Sequence, residues 1–156
     1  MKTIIPIFLI LFIILLFYKM SNPASSNIVN STLKYPLDSI VTSSKFGKRG
    51  NEWHNGVDFP APIGTKVKSP ADGKVVKIFN TVAGGKSLLV KHVNGWTTGY
   101  AHLSGYLVKT GDTVTQGQPI ALVGNTGAHT TGAHLHFTLR KTDTLNTIDP
   151  LPHLQQ

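Results

Sequence analysis

Glycine and proline interrupt residues 33–152 at intervals of roughly ten positions, and the pieces between them are rich in Val, Ile and Thr. That punctuation excludes long amphipathic helices, because proline removes a backbone donor and glycine costs helix stability. What remains is a set of short extended segments, expected at 65–67, 73–80, 87–93, 96–103, 113–114, 119–123 and 134–140, and hence an all-β domain. The sharpest local signal is Val93-Asn94-Gly95-Trp96, an Asn-Gly pair between apolar residues. It predicts a two-residue hairpin in which Val93 pairs with Trp96. Carried outward, that register sets Ser87 opposite His102 and Leu89 opposite Tyr100. His102, Tyr100, Trp96 and Leu89 then share one face, and His92 lies on the other with Thr97.

The segments beginning at Gly64 and Gly111 resemble each other: Gly64-Thr-Lys-Val67 leads through a turn to Gly73-Lys-Val75, and Gly111-Asp-Thr-Val114 leads through a turn to Gly117-Gln-Pro-Ile120. The likeness suggests a duplication or two similar hairpins. A lipoyl- or biotinyl-type carrier is set aside, because no suitably flanked lysine stands at a hairpin tip.

Residues 4–18 form an apolar run broken only by Pro6 and flanked by Lys2 and Lys19. Fifteen residues fall short of the roughly 20 of a spanning helix and suit the hydrophobic part of a signal peptide. No clear small-residue cleavage site follows, so 1–20 is expected to be a helical signal peptide or a retained membrane anchor. Residues 21–32, rich in Ser and Asn, read as a linker. The folded unit is then 33–152, with 153–156 as a tail. The expected location is the cell envelope after export. The net charge is +8; Lys2 and Lys19 account for two of these, leaving +6 on the remainder. Such a surplus favours an anionic partner, but the cations are scattered and lack interleaved aromatics, which argues against nucleic acid. There is no cysteine, which excludes thiolate ligands, disulfides and a lipid-attachment cysteine.

The chemistry concentrates in two places. In Thr131-Gly-Ala-His134-Leu-His136-Phe137 a strand would set both imidazoles on one face and Leu135 and Phe137 on the other. In Trp53-His54-Asn-Gly56-Val57-Asp58-Phe59-Pro60 an extended chain puts His54 and Asp58 on one side, with Gly56 between them leaving room for an ion. Two imidazoles and one carboxylate, with a position open to water, are the donor set of a catalytic zinc site. Uncommitted histidines nearby could then move protons. Position alone does not say which of His134 and His136 is the ligand. A two-histidine, one-carboxylate iron site is a weaker fit, given the four-residue His–Asp spacing and the surplus histidines.

Together with Tyr100-Ala-His102-Leu-Ser, Ser44-Lys-Phe46-Gly47-Lys-Arg49, Ala71-Asp-Gly73 and Gly124-Asn-Thr-Gly127, these motifs resemble the M23 zinc metalloendopeptidases of the lysostaphin and LytM type. The resemblance implies a compact, antiparallel, barrel-sandwich-like β domain with loops lining a groove. It implies one Zn2+ held by His54, Asp58 and His136, catalytic roles for His102 and His134, and peptidoglycan peptide as substrate. An activating partner that opens the groove would be compatible with it. A non-catalytic wall-binding or regulatory domain on the same fold is the alternative, disfavoured because all five site residues are present. Ala133 and Thr138 depart from the family's usual Pro and Glu, which bears on substrate preference. Arg49, Tyr100 and His129 are the candidate substrate contacts. His92 is expected to be structural or at the surface, and His153, in a Pro-flanked tail, disordered or at the surface.

Overall fold

The computed structural model describes residues 32–156, so the apolar run, the helix expected of it and nearly all of the linker lie outside the described residues. In chain order the strands are β1 (Leu33–Lys34), β2 (Gly47–Arg49), β3 (Glu52–His54), β4 (Val57–Pro60), β5 (Lys66–Lys68), β6 (Gly73–Thr81) and β7 (Gly85–His92). They continue with β8 (Trp96–Leu103), β9 (Gly105–Tyr106), β10 (Thr113–Val114), β11 (Pro119–Leu122), β12 (His134–Lys141) and β13 (Leu154–Gln155). Among the described residues there is no α-helix, only a 3-10 turn at Leu151–His153. The all-β expectation holds. The main sheet is antiparallel, in the order β10-β6-β7-β8-β12-β4; β5-β11-β9 and β2-β3 form smaller antiparallel sheets.

One face of the main sheet is the core. On β12, Leu135, Phe137 and Leu139 are fully buried while His134, His136, Thr138 and Arg140 are half-buried on the opposite face, as period-two alternation requires. Phe137 lies between Tyr100 and Phe59, with ring centroids 5.5 and 6.3 Å away. Each such buried side chain contributes roughly 1.5–3 kcal/mol. The two similar segments interlock: β5 of the first pairs with β11 of the second, and β6 of the first with β10 of the second. Ser69 and the 117–118 turn close the joint with reciprocal backbone bonds of 2.9 and 2.8 Å.

Two expectations need correction. The first is the hairpin register. Lys91 pairs with Thr97 and Leu88 with Tyr100, one step away from the expected pairing. A two-residue type I′ turn needs positive φ at both Asn94 and Gly95, and only Gly95, at 82°, has it. The loop is therefore Val93-Asn94-Gly95, closed by the Gly95 N–H to His92 carbonyl bond of 3.2 Å. A one-residue slip exchanges the faces. His92 turns inward beside Thr98 and Tyr100, and Leu89 turns outward with Gly99. The second correction concerns the tail. Leu154, 8% exposed, pairs in parallel with Leu33, and the His153 ring lies 4.9 Å from that of Trp96. The folded unit therefore runs past residue 152, because Leu33 needs an apolar partner at the domain's edge.

His92 is 3% exposed. Its Nδ1–H donates to the Ala71 carbonyl at 3.1 Å, and its Nε2 accepts from Thr98 Oγ1 at 2.7 Å, which in turn meets the Tyr100 hydroxyl at 2.8 Å. Burial pushes its pKa below the ordinary 6.5, partly offset by the Asp72 and Ala71 carbonyls. The unfolded chain therefore takes up a proton that folded His92 refuses, so this contribution to stability is full above pH 6.5 and is lost as pH falls through the lower folded value. His92→Gln, which breaks the chain of bonds, is expected to cost about 1–3 kcal/mol at neutral pH. It should also flatten the fall in melting temperature on acidification below pH 6.5, measured against the parent chain by calorimetry.

Candidate metal centre

His54 ends β3 opposite Gly47 of β2, and is 8% exposed. Its Nδ1–H donates to the Lys45 carbonyl at 2.8 Å, which leaves Nε2 as the lone-pair nitrogen. That Nε2 is 3.1 Å from Asp58 Oδ1 and 3.1 Å from His136 Nδ1. Asp58 lies on β4 directly opposite His136 of β12, so both side chains stand on the same sheet face. His136 Nδ1 is 2.8 Å from Asp58 Oδ1, and its Nε2–H donates to Asn55 Oδ1 at 3.1 Å. One donor atom from each of His54, Asp58 and His136 lies within 4.8 Å of the others, a group able to hold a metal ion.

Gly56 serves this arrangement differently from the sequence expectation. A break at Asn55-Gly56 separates β3 from β4. A Cβ at Gly56 would stand 2.5 Å from the Phe137 carbonyl and 2.9 Å from His136 Cε1. The missing side chain makes room for the His136 ring. Asn55 was not legible as a site residue; only the fold brings it to the outer nitrogen of His136, where it orients the ring.

Burial would raise the Asp58 pKa. The close contact with His136, the hydrogen bond from Arg49 and the electrostatic influence of His136 and His54 instead hold it well below the usual carboxylate range. Asp58 is thus an anion. Arg49 Nη2 donates to Asp58 Oδ2 at 2.8 Å and also touches His54 Nδ1.

His134 and His102 join the same face by different routes. His134 comes by alternation, two residues before His136, with Nε2 3.7 Å from Asp58 Oδ1 and Nδ1–H donating to the Gly132 carbonyl at 2.8 Å. His102 should by alternation point into the core with Tyr100. It reaches the site because its φ is 61°, and no other described residue except glycine has a positive φ. Such a backbone costs about 1–3 kcal/mol and must be held by its surroundings. The holding contacts are the His102 N–H to Gly84 carbonyl bond of 2.8 Å and the Nδ1–H to Thr126 carbonyl bond of 2.8 Å. The His102 and His134 ring centroids are 4.7 Å apart. Both rings are tied at Nδ1 to a main-chain carbonyl, leaving Nε2 for chemistry, whereas His136 turns Nδ1 inward to the carboxylate. That difference separates the two histidines that sequence left equivalent.

The profile of Peptidase family M23 matches residues 52–150, more than half of the chain. The chain belongs to peptidase family M23. It is 49% identical over 86 residues to peptidoglycan DD-endopeptidase ShyA of Vibrio cholerae, a match covering 55% of this chain and 20% of that protein. It is 39% identical over 123 residues to ShyB of the same organism, covering 73% and 29%. The chain thus spans less than a third of the length of these relatives. Among solved structures, that of LytU superposes with a TM-score of 0.67 at 44% identity, covering 71% of this chain and 81% of LytU. The catalytic domain of the antimicrobial peptidase lysostaphin from Staphylococcus simulans gives 0.67 at 35%, covering 72% and 90%.

In this M23 domain the five histidine and aspartate side chains line a groove of about 580 Å³. Arg49 and His129 line it too, and Trp53, 64% exposed and packed edge-on against Phe46, stands beside them. Tyr100 borders the groove as well, but from beneath. It is 2% exposed, its hydroxyl is engaged with Thr98, and its ring packs on Phe137 in the core. The shifted hairpin register is the reason: the position expected to face the groove faces inward, and the Tyr100 side chain supports the floor from below.

Proposed function

We propose that this chain is a zinc-dependent endopeptidase that hydrolyses peptide bonds in the stems or cross-bridges of peptidoglycan. The observation that carries the reading is the convergence of His54, Asp58 and His136, with two further imidazoles on the same face, each presenting Nε2. The donor set fits a catalytic zinc ion, with three protein ligands and a position left open. Bound there, a single Zn2+ would supply Lewis-acid chemistry, acidifying water and polarising the scissile carbonyl. The protein's own part is to orient and to move protons. His54 and His136 are held by Lys45 and Asn55, so their inward nitrogens need no reorganisation. Burial lowers the His102 pKa, against the Thr126 carbonyl, with the His134 and His136 charges acting in the same direction as burial. His102 therefore enters as a neutral base. Of His102 and His134, whichever takes a proton from the attacking water becomes the donor to the oxyanion or the leaving amine.

The names of the similar proteins, peptidoglycan DD-endopeptidases and lysostaphin, support the substrate class. We also infer that residues 1–20 direct export and remain as an anchor or are cleaved, that 21–32 is a linker, and that the domain works in the cell envelope, with an activating partner compatible with the groove. The basis is the apolar run with flanking lysines.

The experiment is digestion of purified peptidoglycan by the zinc-loaded full chain, with released fragments identified by mass spectrometry, and repeated after exhaustive chelation and after zinc is restored. New peptide termini are expected only with zinc. Hydrolysis that survives complete zinc removal, or none from a zinc-loaded protein offered soluble fragments, would sink the reading.

A further inference from the structure

The groove floor does not end at the metal centre. It continues along the outer face of the main sheet, and the register places residues there strand by strand. One level beyond His136 and Ala101 lies the row Lys77, Leu89, Gly99 and Thr138, across β6, β7, β8 and β12. The next level on that face is Lys74, Lys91, Thr97 and Arg140. Leu89, Gly99 and Thr138 line the groove. Gly99 keeps the floor low, since a Cβ there would stand 2.4 Å from Thr138 Oγ1.

Four cations therefore stand on this face: Lys77, Lys74 and Lys91, all exposed, and the half-buried Arg140. The three strands that carry them, and β8 between, contain no Asp or Glu. Among the described residues no ion pair reaches any of the four; Lys77 Nζ lies over the Phe79 ring at 4.9 Å, and Arg140 Nη1 donates to the Thr144 carbonyl at 2.8 Å, which leaves further guanidinium donors. Lys74 and Lys91 are directly opposite each other on neighbouring strands. A like-charged cross-strand pair is destabilising on its own. The arrangement thus has an unmet need for anions, at fixed levels relative to the metal centre.

We propose that this face binds the carboxylates of the substrate peptide, with Lys77 at the nearer level and Lys91 and Arg140 at the farther one. The inference rests on the endopeptidase reading and deepens it. A strand advances about 3.4 Å per residue, so the two levels lie about 7 and 14 Å along β12 from His136. An extended peptide laid along the floor from the scissile bond would bring groups roughly two and four residues away to those levels. That fixed register favours an acidic peptide over a polyanion bound by charge alone.

The test uses the zinc-loaded full chain, a peptidoglycan-derived peptide with free side carboxylates, and the same peptide with those carboxylates amidated. The parent chain is expected to favour the acidic form by about tenfold in kcat/KM at low salt, the sum of several exposed charge contacts. In the K77Q/K91Q/R140Q variant that ratio should fall to about one while kcat/KM for the amidated peptide stays unchanged. Should neither peptide be cleaved, calorimetric titration of both peptides gives the same ratio as binding, which separates failure of this inference from failure of the endopeptidase reading. No acid preference in the parent chain, a preference kept by the triple variant, or equal loss of both peptides overturns the proposal. So does tight binding of inorganic polyphosphate that the triple variant loses, if the parent shows no preference between the two peptides.

Discussion

His136→Ala is expected to leave the domain folded, empty of zinc and without hydrolytic activity. The side chain supplies one of three inward donors, 2.8 Å from Asp58 Oδ1 and 3.1 Å from His54 Nε2. Removing it leaves two donors from β3 and β4, too few for a closed ligand set. Loss of a partner that merely orients a ligand costs roughly 10–100-fold in metal affinity, so loss of the ligand should exceed that. The fold should survive because Leu135 and Phe137, on the other face of the same strand, are untouched and fully buried. Zinc stoichiometry by elemental analysis, alongside a melting curve, gives the readout. A variant that keeps a full complement of zinc would show that His136 is not a ligand.

His134→Ala should behave oppositely, keeping zinc while kcat falls by about 10²–10⁴-fold, the range for removing a positioned acid–base group. Its Nε2 is 3.7 Å from Asp58 Oδ1 and its ring is tied through Nδ1 to Gly132, outside the His54–Asp58–His136 triangle. His102→Ala is expected to follow the same pattern, for its ring stands 4.7 Å from that of His134. If His134→Ala empties the site and His136→Ala does not, the roles are reversed. The pairing of the two variants matters because they remove the same chemical group two residues apart on one strand. General damage to the fold would not split zinc content from turnover.

Much of this site was legible beforehand because it rests on short-range periodicity. Strict alternation on β12 put His134 and His136 on one face, and the structure keeps them there with Leu135 and Phe137 beneath. His54 and Asp58 were also paired correctly, although by a broken pair of strands rather than one extended stretch. The hairpin was harder. Asn-Gly announces a tight turn, but whether the loop has two residues or three depends on the φ of Asn94, and a single step set Tyr100 and Trp96 on the core face with His92 instead of on the groove face with Leu89. His102 was placed at the site by a register that fails from Leu88 to Lys91 and returns at Lys86–Leu103 after a bulge. It arrives there through a left-handed backbone, held by Gly84 and Thr126 from distant loops.

The amino-acid sequence by itself determined the all-β class, the strand that carries the paired histidines and the residue types able to hold a metal, since these follow from breaker spacing, side-chain alternation and donor chemistry. Tertiary structure decided which nitrogen each histidine turns inward, that Asn55 and Lys45 do the orienting, that Gly56 clears space for His136, and that the Tyr100 ring packs beneath the floor. Those outcomes depend on contacts between segments up to 82 residues apart, as between His54 and His136. No local pattern encodes them, because a ring flip or a one-residue slip leaves local propensity unchanged while exchanging which atoms meet.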